Sequence, residues 1–378
     1  LSAQGASGGC QVSAGLRFRS SGASAAWTRA EKQLERAAVR MLAQFIVKRL
    51  LLSVPMLIGV TLVTFVVSHL IPADPLTAVL PERAANNPDI VAMYRARWGL
   101  DRPLPEQYLL YLRNLVHGDL GESYTTRRPV GTDLRLFFPA TVELALAAML
   151  YAVVVGIALG VISAVWSDRL ADHLARIIAL IGVSVPVFWL GLIALQVFYA
   201  QLRILPGPGR LDTRLTAPPF RTGLYTIDSL LAGRLDLFFN ALAHLILPGI
   251  VLGSYAMGII ARMTRSSLLE VLSLDYIRTA RAKGVSERRV VLGHALRNAM
   301  IPTVTVVGLT FGSLLAGAVL TETIFAWPGI GRYAVQAATN LDLPAVLGVT
   351  LLIAVVYVVV NMITDILYGV LDPRIRVG

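Results

Sequence analysis

The segment at 278–290, RTARAKGVSERRV, places four arginines and one lysine between two apolar stretches. Guanidinium groups at this density bind carboxylates and phosphates, so the segment could dock an acidic partner or touch anionic lipid. A solvated charged loop that only fixes membrane topology is the competing interpretation. The spacing of the charges alone does not choose between these roles.

Two short helices are predicted around this basic segment. Asp275 can cap a helix that runs through Lys283, since a carboxylate satisfies free backbone N–H groups at a helix start. Gly284 then ends that helix, and Ser286 can cap a second helix that runs to about Ala299. The apolar side of the second helix is expected to consist of Val290, Val291, His294 and Leu296.

Two glutamates, Glu143 and Glu322, each lie near a threonine at the external end of an apolar stretch. A carboxylate that faces lipid is costly, so both are expected to face a central cavity, where they could meet an ammonium group. Polar pairing between helices is the alternative. Structural roles are expected for three further polar residues near span ends, His69, His244 and Asp365.

These residues belong to a chain that is too apolar to be a water-soluble domain. Of its 378 residues, 56% are hydrophobic and 15% are charged, and the mean hydropathy is +0.67. A helix needs about 20 apolar residues to cross a membrane, and strands of a barrel would alternate apolar and polar residues. We therefore predict an all-α membrane protein with six transmembrane helices, at Leu50–Ser68, Leu144–Ser167, Ile177–Leu202, Leu245–Ala261, Ala299–Thr321 and Leu343–Thr364.

The distribution of lysine and arginine predicts the orientation. Eight basic residues precede the first span, and Arg374 and Arg376 follow the last one. The connection at 262–298 carries eight basic and three acidic residues, whereas residues 72–137 carry eight of each. Because basic residues concentrate in cytoplasmic loops, we predict a multi-pass membrane protein with both termini in the cytoplasm. The net charge of +11 is then a topology signal and does not indicate nucleic-acid binding.

Four segments are predicted along the chain. Residues 1–40, rich in Ser, Gly and Ala, form a disordered extension, and residues 41–71 form the first transmembrane helix. Residues 72–137 form an external segment, and residues 138–378 form a core that contains the 262–298 connection. Within the external segment, an amphipathic helix is expected from Tyr108, Leu109, Tyr111, Leu112 and Leu115.

Several motifs resemble one transporter family. DYIRTARAKG, followed by HALRNAMIP, is similar to the cytoplasmic signature loop of the membrane subunits of ATP-binding-cassette importers, and specifically to the dipeptide and oligopeptide permease branch. Within that branch, the first of the two permeases of the dipeptide transporter is most similar. Further motifs of the branch are IPADP at 71–75, HGDLGES at 117–123, RMTRSSLLEVL at 262–272, TETIFAWPGIG at 321–331 and LYGVLDPRIR at 367–376.

The chain departs from the general family pattern at several positions. That pattern is Glu-Ala-Ala, three residues, Gly, nine residues and Ile-x-Leu-Pro, of which Gly284 and Leu296 are present. Arg278 and Thr279 replace Glu-Ala, and the Ile and Pro positions hold His294 and Arg297. These departures are typical of the peptide branch. The resemblance implies ATPase-coupling roles for Asp275, Tyr276, Arg278, Thr279, Ala280, Arg281, Gly284 and Arg297.

The resemblance also implies a fold, a function and partners. The fold would be that of a type I importer permease, with an external domain after helix 1 and a coupling-helix loop between helices 4 and 5. The chain would lie in the bacterial inner membrane and form the translocation path for dipeptides or short peptides, with Glu143 and Glu322 as candidate residues on this path. Its partners would be a second homologous permease, two cytoplasmic ATPases, an external substrate-binding protein and membrane lipid. ATP and Mg would bind to the ATPases, since this chain has no GxxxxGK[ST] motif. No catalytic, cofactor or metal site is expected on it.

Other functions remain open at this point. Similar permeases carry nickel chelates, glutathione, haem, and longer or antimicrobial peptides. A secondary transporter would place coupling carboxylates at the bilayer midplane, and a channel would need a filter loop or a charged ring. Nucleic-acid binding would require aromatic residues among the basic ones. The sequence shows none of these features.

Overall fold

The computed structural model describes residues 21–70, 76, 80 and 86–371. Contacts divide the chain into an amino-terminal unit that contains residues 1–51 and a larger unit, Leu52–Arg376. Within the described ranges the regular elements are helical, and five helices are long and apolar enough to cross a membrane, or up to six if a bent pair counts as one span. The predicted all-α membrane fold is therefore confirmed. IPADP, Arg374, Arg376, and the side chain of Asp365 lie outside the described residues.

Helix α1 runs over Ser21–Leu70. It therefore begins well before the first predicted span, and the prediction of a disordered extension at 1–40 is wrong for residues 21–40. Between 23 and 54 the sequence contains neither Gly nor Pro and is rich in Ala, Leu, Glu, Gln, Lys and Arg, which all favour a helix. Residues 1–20 lie outside the described part of the chain.

The external segment contains helices α2 (Pro88–Trp98) and α3 (Leu104–Val116). The side chain of Asn87 caps α2 by accepting a hydrogen bond from the backbone of Asp89 at 3.0 Å. Helix α3 contains the predicted amphipathic stretch. Its Tyr108 hydroxyl donates a hydrogen bond to the backbone oxygen of Ile58 at 3.0 Å, so α3 packs against α1.

The next helix, α4, covers Val130–Val165 and is longer than the predicted span in the same region. Helix α6 (Val187–Ala194) continues as a π-helical stretch, Leu195–Gln201. A second such stretch, Val290–Ala295, joins α10 (Glu287–Arg289) to α11 (Leu296–Gly317). The remaining helices are α5 (Leu170–Ser184), α6 (Val187–Ala194), α7 (Tyr225–Leu231), α8 (Leu235–Leu272), α9 (Asp275–Ala282), α10 (Glu287–Arg289), α11 (Leu296–Gly317), α12 (Val319–Ile324), α13 (Ile330–Thr339) and α14 (Leu343–Leu371).

The third predicted span is not one straight helix. Helix α5 and the helix that follows it meet at an angle of 107°. Val185 has an extended backbone with φ −80° and ψ 127°, and Pro186 starts the next helix. Because proline disfavours a helical conformation at the preceding residue and has no N–H to donate, the chain bends there. The prediction of an uninterrupted helix over Ile177–Leu202 is wrong.

Helices α4 and α8 form the centre of the core. A Cβ atom at Gly156 would lie 2.9 Å from the backbone oxygen of Met257, and one at Gly160 would lie 2.8 Å from that of Ala261. Small residues thus let the two backbones approach closely, as is typical of packing between helices in membranes. Around this contact lies the largest buried apolar cluster, which includes Leu144, Ala148, Ala152, Leu252, Ala256 and Ile260.

Candidate functional site

Residues 275–298 form a hairpin that follows the carboxyl end of α8. We call it the cytoplasmic hairpin, after the location predicted from the excess of basic residues at 262–298. Leu274 occupies the N-cap position of α9 and makes no side-chain capping bond. Asp275 is instead the first helical residue, and its 94% exposed side chain lies 3.3 Å from Arg278 Nη1. The prediction that Asp275 caps this helix is wrong. A carboxylate in the first turn still complements the positive end of the helix dipole.

Gly284 forms the hinge of the cytoplasmic hairpin. Its φ is +76°, in the left-handed region that favours glycine, and a Cβ atom there would meet nothing within 4 Å. A larger residue at position 284 is therefore disfavoured by the backbone conformation and not by lack of space. Across the hinge, Arg281 donates from Nε and Nη2 to the carboxylate of Glu287 at 3.1 and 2.6 Å. This two-point contact holds the two arms of the hairpin together.

The second arm differs from its prediction. Ser286 occupies the N-cap position but makes no side-chain capping bond. The helix does not end near Ala299, because α10 continues through Val290–Ala295 into α11. A movement of the cytoplasmic hairpin therefore reaches a membrane span without an intervening loop. On this arm His294 is exposed and Leu296 is half-buried, so the buried side consists of Val290, Val291, Ala295 and Ala299.

The inner face of the cytoplasmic hairpin is firmly anchored. Ile277 is fully buried in a cluster that includes Leu268 at the end of α8 and Val290 on the second arm. The side-chain amide of Asn298 donates a hydrogen bond to the Tyr276 hydroxyl at 2.7 Å. Burial of an isoleucine contributes about 1.5–3 kcal/mol. Apolar packing and a polar contact thus orient α9 on the membrane core.

The outer face of the hairpin is exposed and basic. The Arg278 side chain is 72% exposed and that of Arg281 is 42% exposed, so both can reach acidic groups of another chain. The structure brings all eight predicted coupling residues into one hairpin, and contact with an ATPase stays a prediction. Those exposed are Asp275, Tyr276, Arg278, Thr279, Arg281, Gly284 and Arg297, whereas Ala280 is half-buried.

Glu143 forms a buried ion pair with Arg210 of the loop before α7, which we call the external loop after its predicted location. Arg210 Nη2 lies 2.5 Å from Glu143 Oε2 and donates a hydrogen bond to the backbone oxygen of Gly223 at 2.8 Å. The other carboxylate oxygen accepts hydrogen bonds from the backbone and hydroxyl of Thr226 at 2.8 and 2.7 Å. The Arg210 guanidinium also lies 3.6 Å above the ring of Tyr225. These contacts hold the external loop against α4, and a place for Glu143 on the path stays a prediction.

Glu322 of α12 is fully buried, and its carboxylate faces the amino end of α13. Its carboxylate accepts hydrogen bonds from the Thr141 hydroxyl at 2.6 Å and from the backbone of Arg332 at 2.9 Å. Burial raises the pKa of the Glu322 carboxyl, and the hydrogen bonds oppose this shift. A Cβ atom at Gly329 would collide with the carboxylate, which explains the first of the two glycines in the TETIFAWPGIG motif. A role for Glu322 on the path stays a prediction.

The HGDLGES motif is tied to the start of α14. Gly118 and Gly121 have φ values of 78° and 84°, as expected for a turn. The Ser123 hydroxyl then donates to Asp342 Oδ2 at 2.5 Å, and the backbone of Thr125 donates to the same oxygen at 3.0 Å.

The two histidines singled out in the sequence bond to backbone oxygens of their own helices, His69 to Phe65 and His244 to Asn240.

Sequence reasoning missed a buried carboxylate that lies between α4, α5 and α8. The Asp172 side chain is fully buried, and it accepts hydrogen bonds from Nε and Nη2 of Arg265 at 3.1 and 3.0 Å. Ser163 also donates to it, and Arg176 Nε lies 3.2 Å away. Asp172 lies between two predicted spans, in a stretch that also contains Asp168, Arg169, His173 and Arg176, so its sequence context resembled a solvated connection and gave no signal of burial. Its partner is 93 residues away, so spacing could not identify it.

Comparisons with known proteins agree with this architecture. The family model for the inner membrane component of binding-protein-dependent transport systems matches residues 156–377, and the model for the N-terminal part of such membrane components matches residues 41–145. These two ranges include the cytoplasmic hairpin, both glutamates and the buried aspartate.

Individual relatives cover most of the chain. The probable D,D-dipeptide transport system permease protein of Escherichia coli is 52% identical over 85% of this chain and 94% of its own length. The di/tripeptide transport system permease protein of Pseudomonas aeruginosa is 51% identical over 88% of this chain and 98% of its own. The dipeptide transport system permease protein of E. coli is 47% identical over the same shares. The chain therefore belongs to the inner-membrane components of binding-protein-dependent transport systems, and it is a permease subunit of an ATP-binding-cassette importer.

Proposed function

We propose that this permease carries dipeptides or short peptides across the inner membrane, driven by ATPases that dock on the cytoplasmic hairpin. The observation that carries the docking role is the contrast between the two faces of α9. Ile277 on the inner face is fully buried, whereas Arg278 on the outer face is 72% exposed. The names of the most similar relatives support the substrate class.

The proposed assembly contains a second homologous permease, two cytoplasmic ATPases and an external substrate-binding protein. Both termini of this chain lie in the cytoplasm, in agreement with the excess of basic residues at 262–298. ATP and Mg bind to the ATPases, which perform the hydrolysis, and this chain holds no cofactor. Its task is to form the path and to transmit movement.

The coupling step is a two-state change driven by ATP. When ATP closes the two ATPases, the docked hairpin moves with them, and the continuous helix from α10 to α11 passes this movement to the membrane core. Hydrolysis then resets the permeases. Shifting such an equilibrium from 1:99 to 99:1 takes about 5.5 kcal/mol of differential binding.

Co-purification from the native membrane tests the docking role. The Arg278→Glu variant should retain the second permease but lose most of the ATPases, as measured by quantitative mass spectrometry of the purified complex. Arg214→Glu provides the matched control, because it makes the same change of charge at an exposed position in the external loop. If ATPase recovery is the same in both variants, the hairpin is not the docking site.

Uptake of a labelled dipeptide by cells that express the complete system tests the substrate class. Unlabelled dipeptides and tripeptides should compete with the label. Glutathione, haem, nickel chelates and longer peptides should compete weakly. Strong competition by one of these solutes, with none by dipeptides, would overturn the substrate assignment and leave the docking role intact.

A further inference from the structure

A basic pocket lies between α4, α5 and α8, apart from the cytoplasmic hairpin, and has a volume of about 500 Å³. Helices α5 and α8 touch at Gly258, where a Cβ atom would collide with the backbone oxygen of Ala179. From this contact the pocket extends along α8 to Arg262, Arg265 and Ser266. It therefore extends toward the end of α8 from which the cytoplasmic hairpin emerges.

Three arginines line this basic pocket, and one carboxylate faces them. The buried Asp172 binds Arg265 through Nε and Nη2, and Arg176 Nε lies 3.2 Å from the same carboxylate. These contacts orient the guanidinium groups of Arg265 and Arg176. The Nη1 atoms of both arginines make no hydrogen bond to another described residue. Arg262 has no hydrogen bond or ion pair with any residue in the described part of the chain. The pocket thus has a net positive charge and free donors that suit an anion.

The wall of the pocket on α5 is apolar and exposed. Leu180 lines the pocket with 63% of its surface exposed, and Ile177 and Leu174 on the same helix are 52% and 51% exposed. Leu159 of α4 adds an apolar residue to the pocket lining. Exposed leucine and isoleucine side chains within an apolar helix suit contact with acyl chains, whereas a soluble anion gains nothing from them.

We propose that the basic pocket binds the headgroup of an anionic phospholipid. The lipid phosphate lies against Arg262 and Arg265, and an acyl chain lies along Leu180. Basic pockets between transmembrane helices on the cytoplasmic side are a known mode of headgroup recognition. A free phosphate shares the guanidinium chemistry, but the apolar wall favours the lipid.

Native mass spectrometry of the full-length chain in detergent tests this site with phosphatidylglycerol, phosphatidylcholine and inorganic phosphate as probes. Arg262→Gln is the informative variant because Arg262 supports no other residue, whereas loss of Arg265 would leave a buried carboxylate without its bidentate partner. The matched control is Arg288→Gln, which removes one charge from an exposed position of the cytoplasmic hairpin. A thermal unfolding curve of each variant shows that the fold is retained.

The wild type should retain phosphatidylglycerol in preference to phosphatidylcholine, and millimolar phosphate should not displace it. Arg262→Gln should weaken phosphatidylglycerol binding about fivefold, as expected for the loss of one arginine near an anionic lipid, and Arg288→Gln should leave it unchanged. An equal effect of the two variants, or equal binding of both lipids, would overturn the specific site. Displacement by inorganic phosphate would overturn the assignment to a lipid.

Discussion

The cytoplasmic hairpin and the external side of the core use charged residues in opposite ways. On the hairpin, Arg278 is 72% exposed, and among the described residues its ion pair is with the largely exposed Asp275. On the external side, Glu143 and Arg210 are 5% and 6% exposed and bind each other within a network of hydrogen bonds. A buried charge is stable only when it is paired, whereas an exposed one contributes little to the fold. Charges on the external side therefore hold loops in place, and those on the hairpin are available to a partner.

The largest effect should come from breaking the external pair. Arg210→Met leaves Glu143 buried without its cation and should lower the stability of the chain by about 3–5 kcal/mol. Thermal unfolding of the full-length chain in detergent measures this loss. Arg214→Met, at an exposed position, should change stability by less than about 0.5 kcal/mol.

Replacing both members of this pair sharpens the same comparison. The double variant Glu143→Met with Arg210→Met removes the uncompensated charge and should recover most of the stability. If Arg210→Met is no more harmful than Arg214→Met, the external charges do not stabilise the fold.

A smaller effect is expected where a glycine makes room for the buried Glu322 carboxylate. Gly329→Ala would bring a methyl group into contact with that carboxylate and should cost about 1–3 kcal/mol. Gly312→Ala is the control, because its new Cβ would lie 3.5 Å from Val360, an ordinary contact. The same unfolding experiment compares the two. Equal stability of both variants would contradict the tight packing around Glu322.

On the hairpin, Gly284→Val should cost about 1–2 kcal/mol, because only the positive φ is unfavourable and no atom is crowded. Its main effect should be functional: ATP hydrolysis by the complex should continue while peptide uptake falls. Gly293→Ala is the control, since a Cβ atom there would meet only Arg289, at 3.7 Å. Uptake at the wild-type level in the Gly284→Val strain would refute the hinge.

The smallest effect should come from the exposed pair across the hinge. Arg281→Gln should lower stability by less than about 1 kcal/mol, because both partners are solvated. A double-mutant cycle with Glu287→Gln measures the coupling between the two side chains. If the coupling free energy between Arg281 and Glu287 were as large as that between Arg210 and Glu143, the exposed hairpin pair would stabilise the fold as much as the buried pair does, and the contrast between the two regions would be wrong.

Much of the fold could be predicted from local patterns. Long apolar runs identified the spans, and a glycine between two helical patterns identified the hinge at Gly284. The bend at Pro186 also had a local signal, which was a proline within an apolar run. The prediction that Asp275 caps a helix was wrong because a shift of one residue decides which side chain occupies the N-cap position. The prediction of disorder at residues 21–40 was wrong because the average composition of residues 1–40 hid a stretch of strong helix formers.

The sequence by itself determined that this chain is a helical membrane protein and where its charges concentrate, since both follow from composition and short-range periodicity. Only the tertiary structure decided which charges are buried and with which partners. Arg210 lies 67 residues from Glu143, and Arg265 lies 93 residues from Asp172. Such pairs form only because helices and loops meet at particular points in the fold. At the contact between α4 and α8, for example, Gly156 and Gly160 allow the backbones to approach. The distinction between a buried, loop-holding carboxylate and an exposed docking charge is therefore a property of helix packing.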